Sequence, residues 1–353
     1  MPDADLQLPS FETEKQHSIS GLSSGAFMTV QLHLAHSACF VGAGVVAGGP
    51  YRCAESFRGA APDAEDAFSL GALYICMTPL TPRTAPSALR LAGLARDTAS
   101  ANLIDPLENL ADDRLYIFTG SEDKVVDSSV VKTTLEFYRL LGVPEKNIRF
   151  INDVPAGHSI ITDNVTDSPL ATNQPPYINY GRFWQSHDIL EHIYGDLNPP
   201  ASMLSGRFIR FEQRGFIGDE TAYASMAPYG YAYIPGPVAR GEVKARGVHI
   251  AMHGCKQGYS YVNYVLGKPD IANQPPYGAR YINSTGYNEI AETNRLIILY
   301  PQATGDDDNE AQNPDGCWDW WGYSAKNQKN PDYYSKNAVQ IAAIHRMLKR
   351  LGG

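Results

Sequence analysis

Short apolar runs alternate with helix-like segments along this chain, and the alternation predicts a layered α/β fold. The predicted strands cover residues 15–20, 41–47, 114–119, 147–152, 248–252 and 296–300. The predicted helices cover residues 24–36, 128–141, 287–293 and 336–351. No linker or charge run separates these elements. We therefore expect one domain over residues 1–353, with residues 194–229 as a surface excursion.

Segments rich in glycine, proline, asparagine and aspartate lie between the elements and predict loops. They cover residues 48–67, 165–180 and 302–331. The pentapeptide Asn-Gln-Pro-Pro-Tyr occurs twice in the chain, at 173–177 and 273–277. Two copies are too few for a solenoid. We interpret them as extended loops or, alternatively, as rims that face a ligand.

The composition excludes several classes of partner. The chain has 353 residues, 43% hydrophobic and 19% charged, with a formal net charge of −9. No basic patch is evident, which argues against nucleic acid. No run reaches the roughly 18 apolar residues of a membrane span, so we expect no membrane partner. A neutral or weakly polar ligand fits this balance better than a polyanion, and we expect a monomer.

Four of the five cysteines occupy positions that favour disulfides. Cys53 and Cys76 flank one loop, and Cys255 and Cys317 each adjoin a candidate site loop. We expect the bonds Cys53–Cys76 and Cys255–Cys317, with Cys39 as a buried free thiol. Such bonds imply an oxidising compartment, and we expect an extracellular protein. Periplasmic or intracellular locations are the alternatives, because residues 1–5 show no signal sequence. The other interpretation is a cytosolic protein with reduced packing cysteines.

The segment from Gly21 to Gly25 has the form Gly-x-Ser-x-Gly, with Ser23 at its centre. It lies between a predicted strand and a predicted helix. In α/β-hydrolases this nucleophile elbow raises a reactive serine hydroxyl above the edge of the sheet. The flanking elements favour that interpretation over a purely structural turn.

A reactive serine needs a base and an orienting acid, which follow it in the order acid, then histidine. Asp123 follows the predicted strand at 114–119, and His158 follows the predicted strand at 147–152. Glu122 and Asp127 compete with Asp123 for the role of acid. We prefer Asp123, because its distance from the strand end and the apolar pair after it suit an acid that points toward the site.

The negative oxygen of a tetrahedral intermediate needs preorganised hydrogen-bond donors. We expect these donors to be the backbone N–H groups of Ser24, directly after the nucleophile, and of Cys255, after the strand at 248–252. His253 could be mistaken for the base. We interpret it as a structural loop residue, because the base should follow the acid. This chemistry requires no metal and no cofactor.

The order of these pieces along the chain is inverted. The strand that ends in His253 and Gly254 usually precedes the elbow, but here it follows the elbow. Joining the two ends of the chain restores the usual order. The sequence therefore predicts a circularly permuted α/β-hydrolase fold, with a mostly parallel central sheet and helices on both faces.

Further motifs sharpen this picture, namely Ala-Gly-Gly-Pro-Tyr at 47–51, Thr-Gly-Tyr-Asn at 285–288 and Gly-Cys-Trp-Asp-Trp at 316–320. With them, the chain resembles the single-domain polyhydroxybutyrate depolymerases over nearly its whole length from about residue 15. The resemblance implies these site residues: Ser23, Asp123 and His158 as nucleophile, acid and base, Ser24 and Cys255 as oxyanion donors, and Trp320 as a polymer contact.

The chain also departs from that family. Residues 172–180 lack a cysteine pair that fungal members carry there. Asp315 stands where those members have an asparagine, so the polymer subsite is expected to differ. We expect no separate substrate-binding domain, and polymer adsorption would then use apolar groups near the mouth of the site.

Trp320 is the preferred substrate contact, and Asp315, Tyr177 and Tyr277 are further candidates. The alternative is that two of the three tryptophans at 318, 320 and 321 pack in the core. The expected function is hydrolysis of poly(3-hydroxybutyrate) and 3-hydroxybutyrate oligomers by a serine esterase, through an acyl-enzyme. A carbohydrate esterase of the feruloyl or acetyl-xylan type and a non-catalytic polymer-binding protein are the alternatives.

Overall fold

The structure is a computed structural model of the chain. It describes residues 7–56, 67–81, 83–218, 221–261, 264–265, 268–269, 279–305 and 313–353. Tyr277, one of the predicted substrate contacts, lies outside the described residues, as does the second copy of the pentapeptide.

The strands are β1 His17–Leu22, β2 Phe40–Val46, β3 Arg114–Phe118, β4 Ile148–Ile151, β5 Ile160–Thr162, β6 Ser168–Pro169, β7 Ile178–Tyr180, β8 Arg207–Glu212, β9 Tyr229–Ile234, β10 Gly247–Met252, β11 Tyr264–Val265, β12 Lys268–Pro269 and β13 Leu296–Tyr300. The α-helices are α1 Ser24–Ala35, α2 Ala67–Gly71, α3 Ala88–Ser100, α4 Ser128–Leu140, α5 Gln185–Tyr194, α6 Arg214–Ile217, α7 Thr221–Ala224, α8 Gly236–Ala239, α9 Ala279–Ser284, α10 Tyr287–Asn294 and α11 Val339–Gly352. A π-helix at Ala72–Met77 continues α2.

Eight strands form the central sheet, in the order β4-β3-β2-β1-β10-β13-β9-β8. The six strands from β4 to β13 in that order pair in parallel, whereas β9 runs antiparallel to both of its neighbours. Strand β1, which leads into the elbow, therefore lies beside β10, which ends before His253. The prediction of a mostly parallel α/β sheet is confirmed.

Helices cover both faces of this sheet. On one face, the hydroxyls of Ser18 and Ser20 in β1 lie 2.7 and 2.6 Å from the hydroxyls of Tyr194 in α5 and Tyr287 in α10. Side chains alternate between the two faces along a strand. On the opposite face, α1 and α11 contact each other, and Gly352 of α11 packs closely on His17.

The expectation of a surface excursion at residues 194–229 is wrong for much of that segment. It contains β8, which pairs with β9 and forms one edge of the central sheet. Alternate side chains of β8 are buried, and Ile209 and Phe211 are fully buried. The burial of this face stabilises the strand against the core, which a surface excursion would not need.

Both expected disulfides are present, joining Cys53 to Cys76 and Cys255 to Cys317. Cys39 is free, as expected, but it is only half-buried.

The two described ends of the chain meet at the amino edge of the parallel strands. The N–H of Phe11 donates to the carbonyl of Leu351 at 3.0 Å, and the hydroxyl of Thr13 donates to the carbonyl of Gly352 at 2.7 Å. This proximity is what a circular permutation requires. The permutation itself stays a prediction. None of the described helices is long and apolar enough to cross a membrane.

Candidate active site

Ser23 lies in a strained turn between β1 and α1. Its backbone has φ 58° and ψ −124°, a conformation that residues other than glycine rarely adopt. The two glycines of the motif are required by close packing. A Cβ on Gly21 would lie 2.4 Å from the backbone of Gly25, and a Cβ on Gly25 would lie 2.4 Å from the carbonyl oxygen of His253. The turn therefore has the geometry of a nucleophile elbow.

His158 and Asp123 form a nearly buried pair. The Nδ1 atom of His158 lies 2.8 Å from an oxygen of Asp123, and their side chains are only 3% and 1% exposed. The other oxygen of Asp123 accepts the N–H groups of Val125 and Val126 at 2.8 and 3.0 Å. These bonds hold the carboxylate, and the carboxylate orients the imidazole so that Nε2 is left to act as a base.

The two competing acids do not contact the histidine. Asp127 is the N-cap of α4 and accepts the N–H of Ser129 at 2.8 Å. Glu122 is exposed on the loop surface. Among the three candidate acids, Asp123 is thus the one that hydrogen-bonds His158.

Ser23 and His158 face the same cavity, which has a volume of about 460 Å³. It opens beyond the carboxyl ends of the parallel strands, where ligands bind in open α/β sheets. The hydroxyl of Ser23 makes no hydrogen bond to another described residue, including His158. Hydrogen bonds between a nucleophile and its base are often long in free enzymes and shorten when substrate binds.

Two backbone N–H groups near Ser23 are free to bind an anion. Ser24 is the first residue of α1, so its N–H has no partner inside the helix. Within the described part of the chain, the N–H of Cys255 also has no acceptor. Parallel pairing of β1 with β10 brings the two donors to one edge of the sheet, and both residues line the cavity. This is the arrangement of an oxyanion hole.

Trp320 lines the cavity but is only 3% exposed, because its indole stacks on the ring of Phe27 at 3.9 Å. Trp318 is fully buried and Trp321 is half-buried. The alternative expectation, that two of the three tryptophans pack in the core, therefore fits the burial. Trp320 combines both situations, because one part of its ring packs and another borders the cavity.

A buried carboxylate holds the shape of the loop that contains Trp318, Trp320 and Trp321, which we call the tryptophan loop. Asp319 is fully buried and accepts four successive backbone N–H groups, from residues 321 to 324, together with the hydroxyl of Ser324. Its own N–H donates to Gln340 of α11. The hydroxyl of Ser24 accepts the N–H of Trp318 at 3.2 Å, which ties the loop to the elbow.

Asp315 and Tyr177 also line the cavity. Asp315 is paired with Lys256 at 3.6 Å, so the mouth of an otherwise largely apolar cavity carries one charge of each sign. The edge-on ring of Tyr177 lies 5.5 Å from the imidazole of His158. Burial raises the pKa of Tyr177 to about 12, so its phenol is neutral at physiological pH.

Two amide side chains that the sequence analysis did not single out connect the pieces of the site. Asn173 accepts the N–H groups of His158 and Lys124, at 2.8 and 3.0 Å, and donates to the carbonyl of Glu122. It therefore joins the acid loop to the base. The only signal for it in the sequence was its place at the start of the repeated pentapeptide.

Gln257 performs a similar task on the oxyanion side. Its oxygen accepts the N–H of Gly254 at 2.7 Å, and its nitrogen donates to the carbonyl of Pro176 at 2.8 Å. It is buried and connects the loop after β10 to the segment that carries Tyr177.

The comparisons with known proteins agree with this geometry, although no family model matches the chain. Over 352 residues, the chain is 36% identical to the poly(3-hydroxybutyrate) depolymerase of Delftia acidovorans, and the match covers 99% of this chain but only 62% of that protein. Over 362 residues, it is 32% identical to the polyhydroxybutyrate depolymerase of Talaromyces funiculosus, covering 99% of this chain and 93% of that protein.

Solved structures give the same result. The fold matches the crystal structure of a PHB depolymerase from Penicillium funiculosum with a TM-score of 0.78 and 32% identity, over 98% of both chains. It matches a second PHB depolymerase structure, of a serine-to-alanine variant complexed with an R3HB trimer, with a TM-score of 0.77. By sequence identity, coverage and fold, this chain belongs to the polyhydroxybutyrate depolymerase family.

Proposed function

We propose that this protein is a serine esterase that hydrolyses the ester bonds of poly(3-hydroxybutyrate) and its oligomers. The observation that carries the proposal is the meeting of a strained serine, a histidine–aspartate pair and two free N–H groups at one cavity. The names of its relatives and the bound trimer of one solved relative support the choice of substrate.

In this mechanism, Ser23 attacks the ester carbonyl carbon while Nε2 of His158 takes the hydroxyl proton. Asp123 stabilises the imidazolium that forms. The negative carbonyl oxygen accepts hydrogen bonds from the N–H groups of Ser24 and Cys255. His158 then gives the proton to the leaving alkoxide. In the second half of the reaction, His158 takes a proton from water, the water attacks the acyl-enzyme, and His158 returns the proton to the oxygen of Ser23.

The walls of the cavity suit a hydroxyalkanoate chain, which carries methyl groups and neutral ester groups. Ala72, Leu73, Met77 and Val126 supply apolar surface, and Trp320 borders the same space. Burial of apolar ligand surface against such side chains contributes about 25 cal/mol per Å². The proposed contacts of Trp320, Asp315 and Tyr177 with the substrate rest on their place in this lining.

Replacement of Ser23 tests the mechanism. Turnover of a short-chain nitrophenyl ester and of a 3-hydroxybutyrate trimer by the Ser23→Ala variant should fall by about 10⁴-fold or more. Ser129→Ala, on the exposed surface of α4, is the matched control and should keep full turnover. Full turnover by Ser23→Ala would refute the mechanism.

Two further assays separate the alternative functions. Hydrolysis of arabinoxylan esters without hydrolysis of the polyester would identify a carbohydrate esterase. Binding of the polymer without labelling by an organophosphonate probe would identify a non-catalytic binding protein.

We also propose that the protein works in an oxidising, extracellular compartment. The two disulfides support this location, because reducing compartments disfavour such bonds. Recovery of the protein from its native cells with all five cysteines reduced would contradict it.

A further inference from the structure

The imidazole of His253 is held from both sides by backbone groups. Its Nδ1 atom lies 2.7 Å from the carbonyl oxygen of Gly254, and its Nε2 atom lies 3.1 Å from the amide nitrogen of Ala303. A backbone amide can only donate, so Nε2 accepts the N–H of Ala303. The ring hydrogen is therefore on Nδ1, and it is donated to the carbonyl of Gly254.

That carbonyl belongs to the same peptide group as the N–H of Cys255. A peptide group is planar, with its oxygen and its hydrogen on opposite sides. A bond that fixes the oxygen of Gly254 consequently fixes the direction in which the N–H of Cys255 points. The N–H of Gly254 is taken by the side chain of Gln257, and its carbonyl also accepts the backbone N–H of Gln257 through a longer bond of 3.3 Å, so both backbone groups of Gly254 are bound. Among the backbone N–H groups of residues 254–257, that of Cys255 is the one without an acceptor in the described structure.

The surroundings of His253 protect this bond from water. The side chain is fully buried, with the ring of Trp318 at 5.2 Å and the ring of Tyr281 at 6.3 Å. A hydrogen bond at low local dielectric is stronger and polarises the peptide group that accepts it. Burial also lowers the pKa of His253 to about 4. The ring is therefore neutral at physiological pH, where one nitrogen can donate while the other accepts.

We propose that His253 is a positioning residue that aims the N–H of Cys255 at the carbonyl oxygen of the substrate. The proposal rests on the proposed function, in which that N–H is an oxyanion donor. His253 is not a second base. Both of its ring nitrogens are bound by backbone groups, and neither of them contacts Ser23.

Two substitutions separate positioning from a merely structural role. The amide nitrogen of asparagine can replace Nδ1, so His253→Asn keeps the bond to Gly254 and loses the acceptor for Ala303. The amide oxygen of glutamine can replace Nε2, so His253→Gln keeps the acceptor for Ala303 and loses the bond to Gly254. Each variant thus removes one of the two hydrogen bonds of the same buried side chain.

With a short-chain nitrophenyl ester, we expect the kcat of His253→Gln to fall about 10- to 100-fold with little change in KM, which is less than the loss of an entire oxyanion donor. His253→Asn should keep kcat within about threefold, because its donor to Gly254 is retained. Binding of a trifluoromethyl ketone, which forms an oxyanion on Ser23, should weaken in His253→Gln by the same factor as kcat.

Unfolding by urea provides the structural readout. Equal losses of kcat in the two variants, in step with their losses of stability, would show a structural role and overturn the proposal. An inactive wild-type protein would instead refute the proposed function. An active wild type with a fully active, folded His253→Gln would refute the positioning role alone.

A measurement on the wild-type protein covers the case in which His253→Gln does not fold. The ¹⁵N chemical shifts of the His253 ring at neutral pH should show the hydrogen on Nδ1. A hydrogen on Nε2 would exclude donation to Gly254 and would overturn the proposal.

Discussion

At the scale of single residues, the proposed catalytic groups depend on side chains that never touch the substrate. Asn173 fixes the N–H of His158 and bridges to the loop of Asp123, while Gln257 and His253 fix the two sides of Gly254. Such supporting contacts hold the reactive groups in position to within a fraction of an ångström. The reactive groups alone therefore do not account for the site.

Replacement of Asn173 by alanine should loosen the acid–base pair. The N–H groups of His158 and Lys124 would lose their acceptor, which costs about 1–3 kcal/mol where such a group stays buried. We expect kcat to fall about tenfold with little change in KM, since the change acts on proton transfer rather than on binding.

The matched control is Asn294→Ala. Asn294 also binds backbone groups of another segment, the N–H and the carbonyl of Asn198, but it lies at the amino ends of the parallel strands, away from the cavity. It should lose stability and keep kcat. If Asn173→Ala and Asn294→Ala reduce kcat equally, Asn173 has no special link to catalysis.

The principal candidate residues could be proposed from the sequence because Ser23, Asp123 and His158 each follow a recognisable strand in a fixed order, and the structure brings the last two into contact. The supporting residues were not predicted. Asn173 and Gln257 act on backbone groups of other segments, and nothing in their own neighbourhood shows which groups those are. A reactive hydroxyl has a motif, whereas a side chain that binds distant carbonyls has none.

At the scale of elements, two disulfides anchor the two walls of the cavity. The Cys255–Cys317 bond joins the loop after β10 to the tryptophan loop. The Cys53–Cys76 bond anchors the π-helix, whose residues Ala72 and Leu73 line another wall of the cavity. The bonds close loops with sequence separations of 62 and 23 residues. In the chain-entropy account, each stabilises the fold by about 3–4 kcal/mol.

Removal of the two bonds should have similar effects on stability but different effects on kinetics. With Cys255→Ser and Cys317→Ser together, kcat should fall because a proposed oxyanion donor is loosened. With Cys53→Ser and Cys76→Ser together, KM should rise while kcat is retained within about threefold, because in the proposed mechanism this wall contacts the substrate but donates no hydrogen bond to the oxyanion. Steady-state kinetics and urea unfolding of the two double variants check this. A loss of kcat in both would contradict it.

The two strands of the central sheet that the sequence missed, β8 and β9, lie at one edge of it. In strand β8, residues 209–212 alternate apolar and polar, a pattern typical of a half-buried strand but too short to stand out. The continuous apolar runs of β2, β10 and β13 were easier to predict, because both of their faces are covered by helices.

At the scale of the whole molecule, buried histidines make the fold sensitive to acid. Burial lowers the pKa of His249 and His36 to about 3, and the pKa of His17 and His253 to about 4. His249 lies in the middle of the sheet, where its ring nitrogens are hydrogen-bonded to the hydroxyls of Ser18 and Ser20. These rings are neutral in the folded protein wherever the pH exceeds those values.

The free energy of unfolding should therefore fall as the pH is lowered from about 6.5, the unfolded pKa of histidine, toward 4. In that window the unfolded chain takes up protons and the folded chain does not. Each histidine then contributes up to about 1.4 kcal/mol per pH unit. Urea unfolding at several pH values between 7 and 4.5 measures the slope.

His36→Gln provides the comparison for this slope. The Nε2 atom of His36 is buried and has no hydrogen-bond partner in the described structure, so the substitution breaks no bond there. The free energy of unfolding of the variant should fall less steeply with decreasing pH, because one fewer proton is taken up on unfolding. Identical slopes in wild type and variant would show that His36 is not a source of the acid sensitivity.

The spatial order of the sheet could be predicted only in part. The need for a second oxyanion donor placed the strand before His253 beside the elbow strand, and β10 does pair with β1. The antiparallel edge formed by β8 and β9 was beyond prediction, because its place is set by pairing with β13 and not by any local pattern.

The contact between Thr13 and Gly352 has a practical consequence. Both lie at the amino edge of the parallel strands, while the cavity opens beyond their carboxyl edge. A support attached beside either of these two residues would hold the molecule with its cavity facing outward. The orientation would be the same for both points of attachment, and a solid polymer could approach an immobilised layer of this protein without first displacing its anchor.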